Sequence, residues 1–345
     1  MYVLGIETSC DETAAAVVCS EGTERILSNV ICSQIDMHSE YGGVVPEIAA
    51  RAHESLLFPA IQKALNVAQL PLHSIDAIAA TCGPGLIGGV MVGAIAAKML
   101  ALAHNIPFIA VNHLEGHAQV CSISEDVTFP YLLLLISGGH SQILEVHGLG
   151  KYKLLGETLD DSVGETFDKV ARLIGLPYPG GPNIEKRAQK GDPRRFSVST
   201  PLKGRSGCDF SFSGMKTAFR TLISQASQSA PLSEQDVNDF AASLQWSVAE
   251  ALVSRIVNAL KMVSDEVRHN KTFVIAGGVA ANKYIRARIT EVGNNAGYKV
   301  FYPPVNLCTD NAVMIAWVGL GYHEKGIHSS LDFEPRSRWE LDSLL

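Results

Sequence analysis

The sequence predicts two α/β lobes facing one another across a cleft, and three observations carry that expectation. The chain has 345 residues, more than one hydrophobic core usually organises at roughly 150 residues per domain. Two stretches repeat one design, a pair of apolar strands joined by a short polar turn. Each pair is followed by helical patterning, the alternation from which α/β layers are built. Ligand is then expected between the lobes.

Composition narrows the class. Hydrophobic residues make up 47% and charged residues 18% of the chain, enough apolar surface to offset chain entropy, which excludes a disordered protein. The net charge of −7 keeps the molecule as a whole from polyanions, so contact with nucleic acid has to come from a local patch or a partner. The 7 cysteines are scattered, with no C-x-x-C pair, as in a reducing compartment. No basic leader or cleavage site precedes the first strand pattern, and a cytoplasmic protein is expected, with no membrane association.

Taken in order, residues 2–8 (YVLGIET) and 14–19 (AAAVVC) read as strands, with Ser9 to Thr13 as their polar turn. Helices are expected over 47–66 and 86–103. The uncharged run between Asp76 and Lys98 is long enough to suggest a membrane span. Gly83-Pro84-Gly85 interrupts it, so a strand, a tight loop and a buried helix are predicted instead. Residues 131–136 (YLLLLI) and 141–147 (SQILEVH) repeat the hairpin around Ser137-Gly138-Gly139-His140, and a helix over 161–175 follows. A polar insertion at about 190–235 precedes a helix over 236–263. A third glycine turn, 276–280, joins a strand (272–276) to a helix from about Ala281. A strand at 299–302 leads through Pro303-Pro304 to a helix beginning near Thr309-Asp310. The expected division is 1–128 and 129–321, with 322–345 joining the first lobe.

Several clusters carry chemistry. The turn at 137–139 can expose successive backbone N–H groups to an anion, because glycine accepts positive φ and has no side chain in the way; the alternative is an ordinary hairpin turn. The turn at 9–13 offers hydroxyls and two carboxylates, which makes Asp11 and Glu12 candidates for acid/base work or a solvated turn. His113 and His117 stand four apart, so on a helix both imidazoles reach one metal ion or form a plain histidine pair. Asp310 is either a third ligand or the N-cap of the helix it precedes. Glu115 sits second in H-x-E-x-H, whereas a zinc protease places it first in H-E-x-x-H, so its general base would point elsewhere. Asp168 lies off the apolar stripe Val163, Phe167, Val170, Ile174, free for sugar hydroxyls or for an ion pair with Arg172. Gly89, Gly93 and Ala97 form a small-residue ridge suited to internal packing or to a subunit interface.

Ten segments together resemble the TsaD family of tRNA threonylcarbamoyladenosine biosynthesis proteins, formerly described as glycoproteases, over nearly the whole chain. They are GIETSCDET (5–13), YGGVVPEIAAR (41–51), GPGL (83–86), NHLEGH (112–117), SGGH (137–140), GETFDK (164–169), YPGGP (178–182), DFSFSGMKT (209–217), AGGVAAN (276–282) and CTDN (308–311). The resemblance implies the two-lobed actin-like fold of sugar kinases and chaperone ATPases, with duplicated mixed-sheet lobes around a central cleft. It implies His113, His117 and Asp310 as ligands of one divalent metal, iron in preference to zinc. It also implies Leu135, Ile136, Ser137, Gly138, Gly139, Asp168, Gly181, Glu185 and Asn282 around the nucleotide-bearing substrate. Many relatives carry His at the position of Asn112 and Asp at that of Glu185.

By the same resemblance, the activity is transfer of a threonylcarbamoyl group from threonylcarbamoyl-AMP to N6 of the adenosine 3′ of the anticodon in tRNAs reading A-starting codons, with release of AMP. Asp11 is the expected proton acceptor, with Glu12 in reserve. A TsaB-like paralogue and a TsaE-like ATPase are the expected partners. Arg194, Arg195, Lys203, Arg205, Lys283, Arg286 and Arg288 offer a local basic surface for tRNA, or a solvated face. The alternatives are an actin-like small-molecule kinase or ATPase and a nucleotide-gated interaction module, with a protease last.

Overall fold

A computed structural model describes residues 1–344. The chain divides into two compact units: one holds residues 1–126, 148–151 and the chain from Thr309 onward, the other Val127–His147 and Tyr152–Cys308.

In the first unit, β1 (Tyr2–Glu7) and β2 (Glu12–Cys19) form the expected hairpin, with Ile6 opposite Ala15. Glu12 already belongs to β2, so the turn is shorter than the five residues expected. β3 (Ile26–Ser33) extends the hairpin in antiparallel fashion, while β4 (Ala77–Gly83) and β5 (Phe108–Asn112) add in parallel on the other side. The order is β3-β2-β1-β4-β5. The central strands are buried along nearly their whole length, as covered parallel strands require. After the short α1 (Ile35–Ser39), α2 (Pro46–Ala68) buries Ala49, His53, Leu57, Ala60 and Ala64, a helical stripe. α3 (Ile87–His104) is long and apolar enough to cross a membrane, yet it lies along β4. Its ridge explains why: a Cβ at Gly93 would stand 2.2 Å from Thr8 Oγ1, and one at Gly89 2.3 Å from the Thr8 carbonyl oxygen. The small residues therefore serve internal packing. On another face of α3, Ile87, Met91, Ile95, Met99 and Leu102 are exposed. α4 (His113–Gln119) follows β5 directly.

The second unit repeats the topology. β6 (Tyr131–Ile136) and β7 (Ser141–Gly148) pair antiparallel, β8 (Lys151–Glu157) lies outside β7, and β9 (Thr272–Ala276) and β10 (Lys299–Phe301) add in parallel. The order β8-β7-β6-β9-β10 matches the first sheet strand for strand. Helices α5 (Val163–Leu173), α6 (Gly180–Ala188), α8 (Glu234–Met262), α9 (Asp265–Asn270) and α10 (Lys283–Asn295) belong to this unit. So does α7 (Ser213–Ala226), inside the stretch expected to be a polar insertion. Its Met215, Phe219 and Ile223 are buried in the core. The Asp160 carboxylate fixes its start, accepting from the backbone N–H groups of Phe212 (2.7 Å) and Ser213 (3.1 Å) and from the hydroxyls of Ser211 (2.6 Å) and Ser213 (2.7 Å).

α11 (Ala312–Glu324) returns to the first unit. The return thus starts at Thr309 and not at 322, because α11 lies against β1: a Cβ at Gly5 would stand 2.3 Å from the Ala312 carbonyl oxygen.

Candidate functional site

Asn112, the last residue of β5, caps α4 with its side-chain oxygen, which accepts from the N–H groups of Leu114 (2.9 Å) and Glu115 (3.4 Å). The cap starts the helix at His113, so His113 and His117 are one turn apart on one face. Their ring centroids are 4.9 Å apart. Asp310, from the far end of the chain, brings Oδ1 to 3.1 Å from His117 Nε2 and 3.5 Å from His113 Nε2. One donor atom from each residue lies within 4.8 Å of the others. Asn311 caps α11, its Oδ1 accepting from Met314 N–H at 3.0 Å, which removes the capping alternative for Asp310. His117 is fully buried, and its Nδ1 has no hydrogen-bond partner among the described residues. The polar anchorage of its ring lies on the Nε2 side, toward Asp310. Two imidazoles and one carboxylate suit iron or zinc.

Glu115 turns away from this cluster. It accepts from Gly150 N–H at 2.8 Å and from the Tyr322 hydroxyl at 3.0 Å. Burial raises Tyr322 well above the ordinary phenol range, and the Glu115 carboxylate adds to the effect. A glutamate committed in this way is not the general base of a zinc protease.

Glu7, at the end of β1, is a site residue that the sequence reading passes over. Fully buried, it places Oε2 2.9 Å from His113 Nδ1. It also accepts from Thr81 Oγ1 (2.6 Å) and Ser9 N–H (2.5 Å). Burial by itself would raise Glu7, but the adjoining His113 outweighs it and lowers the carboxyl below its usual range. Burial likewise pushes His113 down, and the carboxylates of Glu7 and Asp310 overcome it, raising the imidazole to about 9. A carboxylate on a histidine's second nitrogen fixes tautomer and ring orientation in metal sites. The signal in the sequence is a lone acid closing an otherwise apolar strand.

Asp11 is buried, and Glu12 follows at the start of β2. Burial, followed by the charges of Asp310 and Asp11, holds the Glu12 carboxyl well above its usual range. A buried relay braces this turn from behind. His53 Nε2 donates to the Cys10 carbonyl (3.1 Å), its Nδ1 accepts from Thr13 Oγ1 (2.8 Å), and Gln34 Nε2 donates to Thr13 Oγ1 (3.3 Å). His38 Nε2 donates to Gln34 Oε1 (3.2 Å), and Val45 N–H donates to His38 Nδ1 (3.3 Å).

In the second unit, the SGGH turn joins β6 to β7 at the start of α5, where Gly164 N–H donates to the Ser137 carbonyl at 3.2 Å. Neither Gly138 nor Gly139 takes a left-handed φ. A Cβ on either would meet nothing within 4 Å, so these glycines leave the backbone accessible and do not serve the turn geometry expected of them. Leu135 and Ile136 are fully buried, which leaves only their backbone for a ligand. Asp168 Oδ1 accepts from Gly180 N–H at 2.7 Å and so fixes the YPGGP loop, and Gly181 faces open space. Asn282 is the N-cap of α10, accepting from Ile285 N–H (3.0 Å) and donating to Gln245 Oε1 (2.8 Å). Glu185 accepts from Lys283 N–H at 2.8 Å. Glu185, Gln245, Lys283 and Tyr284 line a cavity of about 200 Å³.

Comparison with known proteins gives the family. The family model described as TsaD: tRNA N6-adenosine threonylcarbamoyltransferase matches residues 25–317. A protein of Bartonella tribocorum named tRNA N6-adenosine threonylcarbamoyltransferase is 54% identical, over 99% of this chain and 96% of its own. Among solved structures, the Acidaminococcus fermentans (R)-2-hydroxyglutaryl-CoA dehydratase component A superposes with a TM-score of 0.54 at 16% identity, covering 92% of this chain and 96% of its own. The ROK hexokinase of Thermus thermophilus gives 0.51 at 17% identity, covering 94% and 100%. These two likenesses show the fold alone, that of actin-like ATPases and sugar kinases. With the sequence match extending across both units, the chain belongs to the TsaD family of tRNA N6-adenosine threonylcarbamoyltransferases.

Proposed function

We propose that the chain transfers the threonylcarbamoyl group of threonylcarbamoyl-AMP to N6 of the adenosine 3′ of the anticodon in tRNAs reading A-starting codons. The observation that carries this reading is the convergence of His113, His117 and Asp310 in one unit with the acidic turn at Asp11 and Glu12. The amine nitrogen bonds to the carbamoyl carbonyl carbon, the C–O bond to the phosphate breaks, and AMP leaves with the electron pair. The leaving group is already activated, so orientation of a weakly nucleophilic amine is the main task. Asp11 takes the proton from the amine, and Glu12 is its reserve.

His113, His117 and Asp310 would hold a divalent metal, iron in preference to zinc, and Glu7 would fix the His113 ring behind it. A metal held there would supply anchorage for the threonylcarbamoyl group or Lewis-acid polarisation of its carbonyl. The open N–H groups of Gly138 and Gly139, beside the start of α5, would hold the AMP phosphate. Asp168, Gly181, Glu185 and Asn282 would border its nucleoside. Because Asn282 is already engaged as a helix cap, its service to the ligand is to hold Gln245 and the α10 start in place. We assign the exposed face of α3 to the TsaB-like paralogue, since its apolar stripe is unlike a solvated helix face. A TsaE-like ATPase completes the set, and a tRNA substrate places the work in the cytoplasm.

The test is a reconstituted reaction of protein, partners, tRNA, threonine, bicarbonate and ATP, read by nucleoside mass spectrometry. Threonylcarbamoyladenosine and AMP are expected. ADP formed from ATP by this chain alone, without the ATPase partner, together with no modified nucleoside in the full mixture would favour the kinase reading. With preformed donor, Asp11→Ala should lose transfer, and full activity in that variant refutes its role as proton acceptor.

A further inference from the structure

Of the basic residues singled out in the sequence, three are engaged and two are free of ion pairs among the described residues. Arg195 is engaged by Asp236 and Asp239, and Arg288 by Glu250 and Glu291. Arg286 donates to the carbonyls of Ala280 and Pro303. Lys203 and Arg205 are exposed and make no ion pair among the described residues. Both stand on the segment 200–207, which together with α8 encloses an open cavity of about 490 Å³.

This segment is anchored despite its irregular path, in which Leu202, Gly204 and Gly207 have φ of 53°, 78° and 83°. Arg255, only 2% exposed, donates to the carbonyls of Leu202 (2.7 Å) and Arg205 (3.2 Å). Asn258 Nδ2 donates to those of Gly207 (2.8 Å) and Arg205 (3.0 Å). With its carbonyls tied to α8, the loop presents Lys203 and Arg205 at the cavity. Arg255 adds a third positive charge to the lining, and its Nε is buried without a hydrogen-bond partner among the described residues. The acid in the lining, Glu250, is paired with Arg288 at 2.8 Å.

The cavity also has a continuation. Ala242, Trp246, Glu250, Ser254 and Asn258 follow one another at four-residue intervals along α8, one ridge of the helix. Ala242 lines the cavity beside Glu185, Glu250 and Ser254 line this one, and between them the Arg194 guanidinium lies 3.9 Å over the Trp246 ring. From Ala242 to Ser254 the helix rises about 18 Å at 1.5 Å per residue. A cation on an aromatic platform between two cavities is a surface suited to a nucleic-acid strand. In a chain of net charge −7, such a patch supplies the attraction that overall composition withholds.

We propose that the cavity between segment 200–207 and α8 seats a backbone phosphate of the tRNA, contacted by Lys203 and Arg205, with Arg194 on Trp246 continuing the track. This rests on the proposed function only for the identity of the RNA.

The test is equilibrium binding of a fluorescently labelled tRNA transcript to the full chain across a potassium chloride series. Lys203→Ala/Arg205→Ala should bind roughly tenfold more weakly at about 0.1 M salt, and the slope of log K against log[salt] should become shallower by about 1.4 to 1.8, two phosphate contacts' worth. Lys203→Arg/Arg205→Lys should keep wild-type affinity, while AMP affinity and the thermal midpoint stay unchanged in all variants. Wild-type affinity in the alanine variant, an unchanged salt slope, or absence of tRNA binding by the wild-type chain each overturns the proposal. If charge-dependent tRNA binding persists while the reconstituted reaction gives no threonylcarbamoyladenosine, the phosphate site stands and the transferase reading falls.

Discussion

Metal uptake should release a proton, and the amount follows from the environment of His113. Its imidazole is raised to about 9 from an ordinary 6.5, so at pH 7 it carries about 0.99 of a proton, against about 0.24 for an unperturbed ring. A cation binding at Nε2 displaces that proton while Nδ1 stays on Glu7. Calorimetric titration of metal-free protein with zinc at pH 7, in two buffers of different ionisation enthalpy, should therefore report release of about one proton. Apparent affinity should rise about tenfold per pH unit between about 6.5 and 9. Glu7→Gln removes the larger of the two charges that raise the ring and leaves that of Asp310, so release should fall below that of the wild type. The sign for the metal-free fold is opposite: a raised histidine stabilises fully below 6.5, and that stabilisation is lost as pH rises through about 9. Release near a quarter of a proton in the wild type, or an affinity flat across this range, would refute the Glu7–His113 argument.

Two further predictions test the scaffold. Gly93→Val puts a Cβ 2.2 Å from Thr8 Oγ1 and should destabilise by about 1–3 kcal/mol or prevent folding, as read by urea unfolding. Asn282→Ala removes the cap of α10 and the partner of Gln245. It should cost roughly 1 kcal/mol in the same measurement and weaken AMP binding, whereas Asn282→Asp should retain the cap.

What the sequence made legible was local. The hairpins, β9 and the histidine pair announce themselves through short-range alternation, glycine turns or four-residue spacing. Glu7 does not, because its importance arises only when the parallel pairing of β1 with β4 brings Thr81 alongside it and α4 carries His113 to its carboxylate. The bracing by His53 is similarly invisible, since it joins α2 to a turn 43 residues away. α7 was obscured for a different reason. Its three buried residues, Met215, Phe219 and Ile223, are diluted by a polar surround. The SGGH turn is legible in the sequence, but the reason for its glycines is not: they provide access to backbone and not a left-handed bend. The point at which α11 returns to the first sheet is not legible either, because its apolar run marks burial without naming the sheet it covers.

That return has a consequence for synthesis. The second unit is continuous from Tyr152 to Cys308, so its later elements can fold as they leave the ribosome. β1, which precedes α11 by some three hundred residues, stays uncovered by it until residues beyond Asp310 have emerged. A nascent chain must keep this strand from misassociating throughout that interval, and His117 waits for its carboxylate partner through the synthesis of 193 further residues.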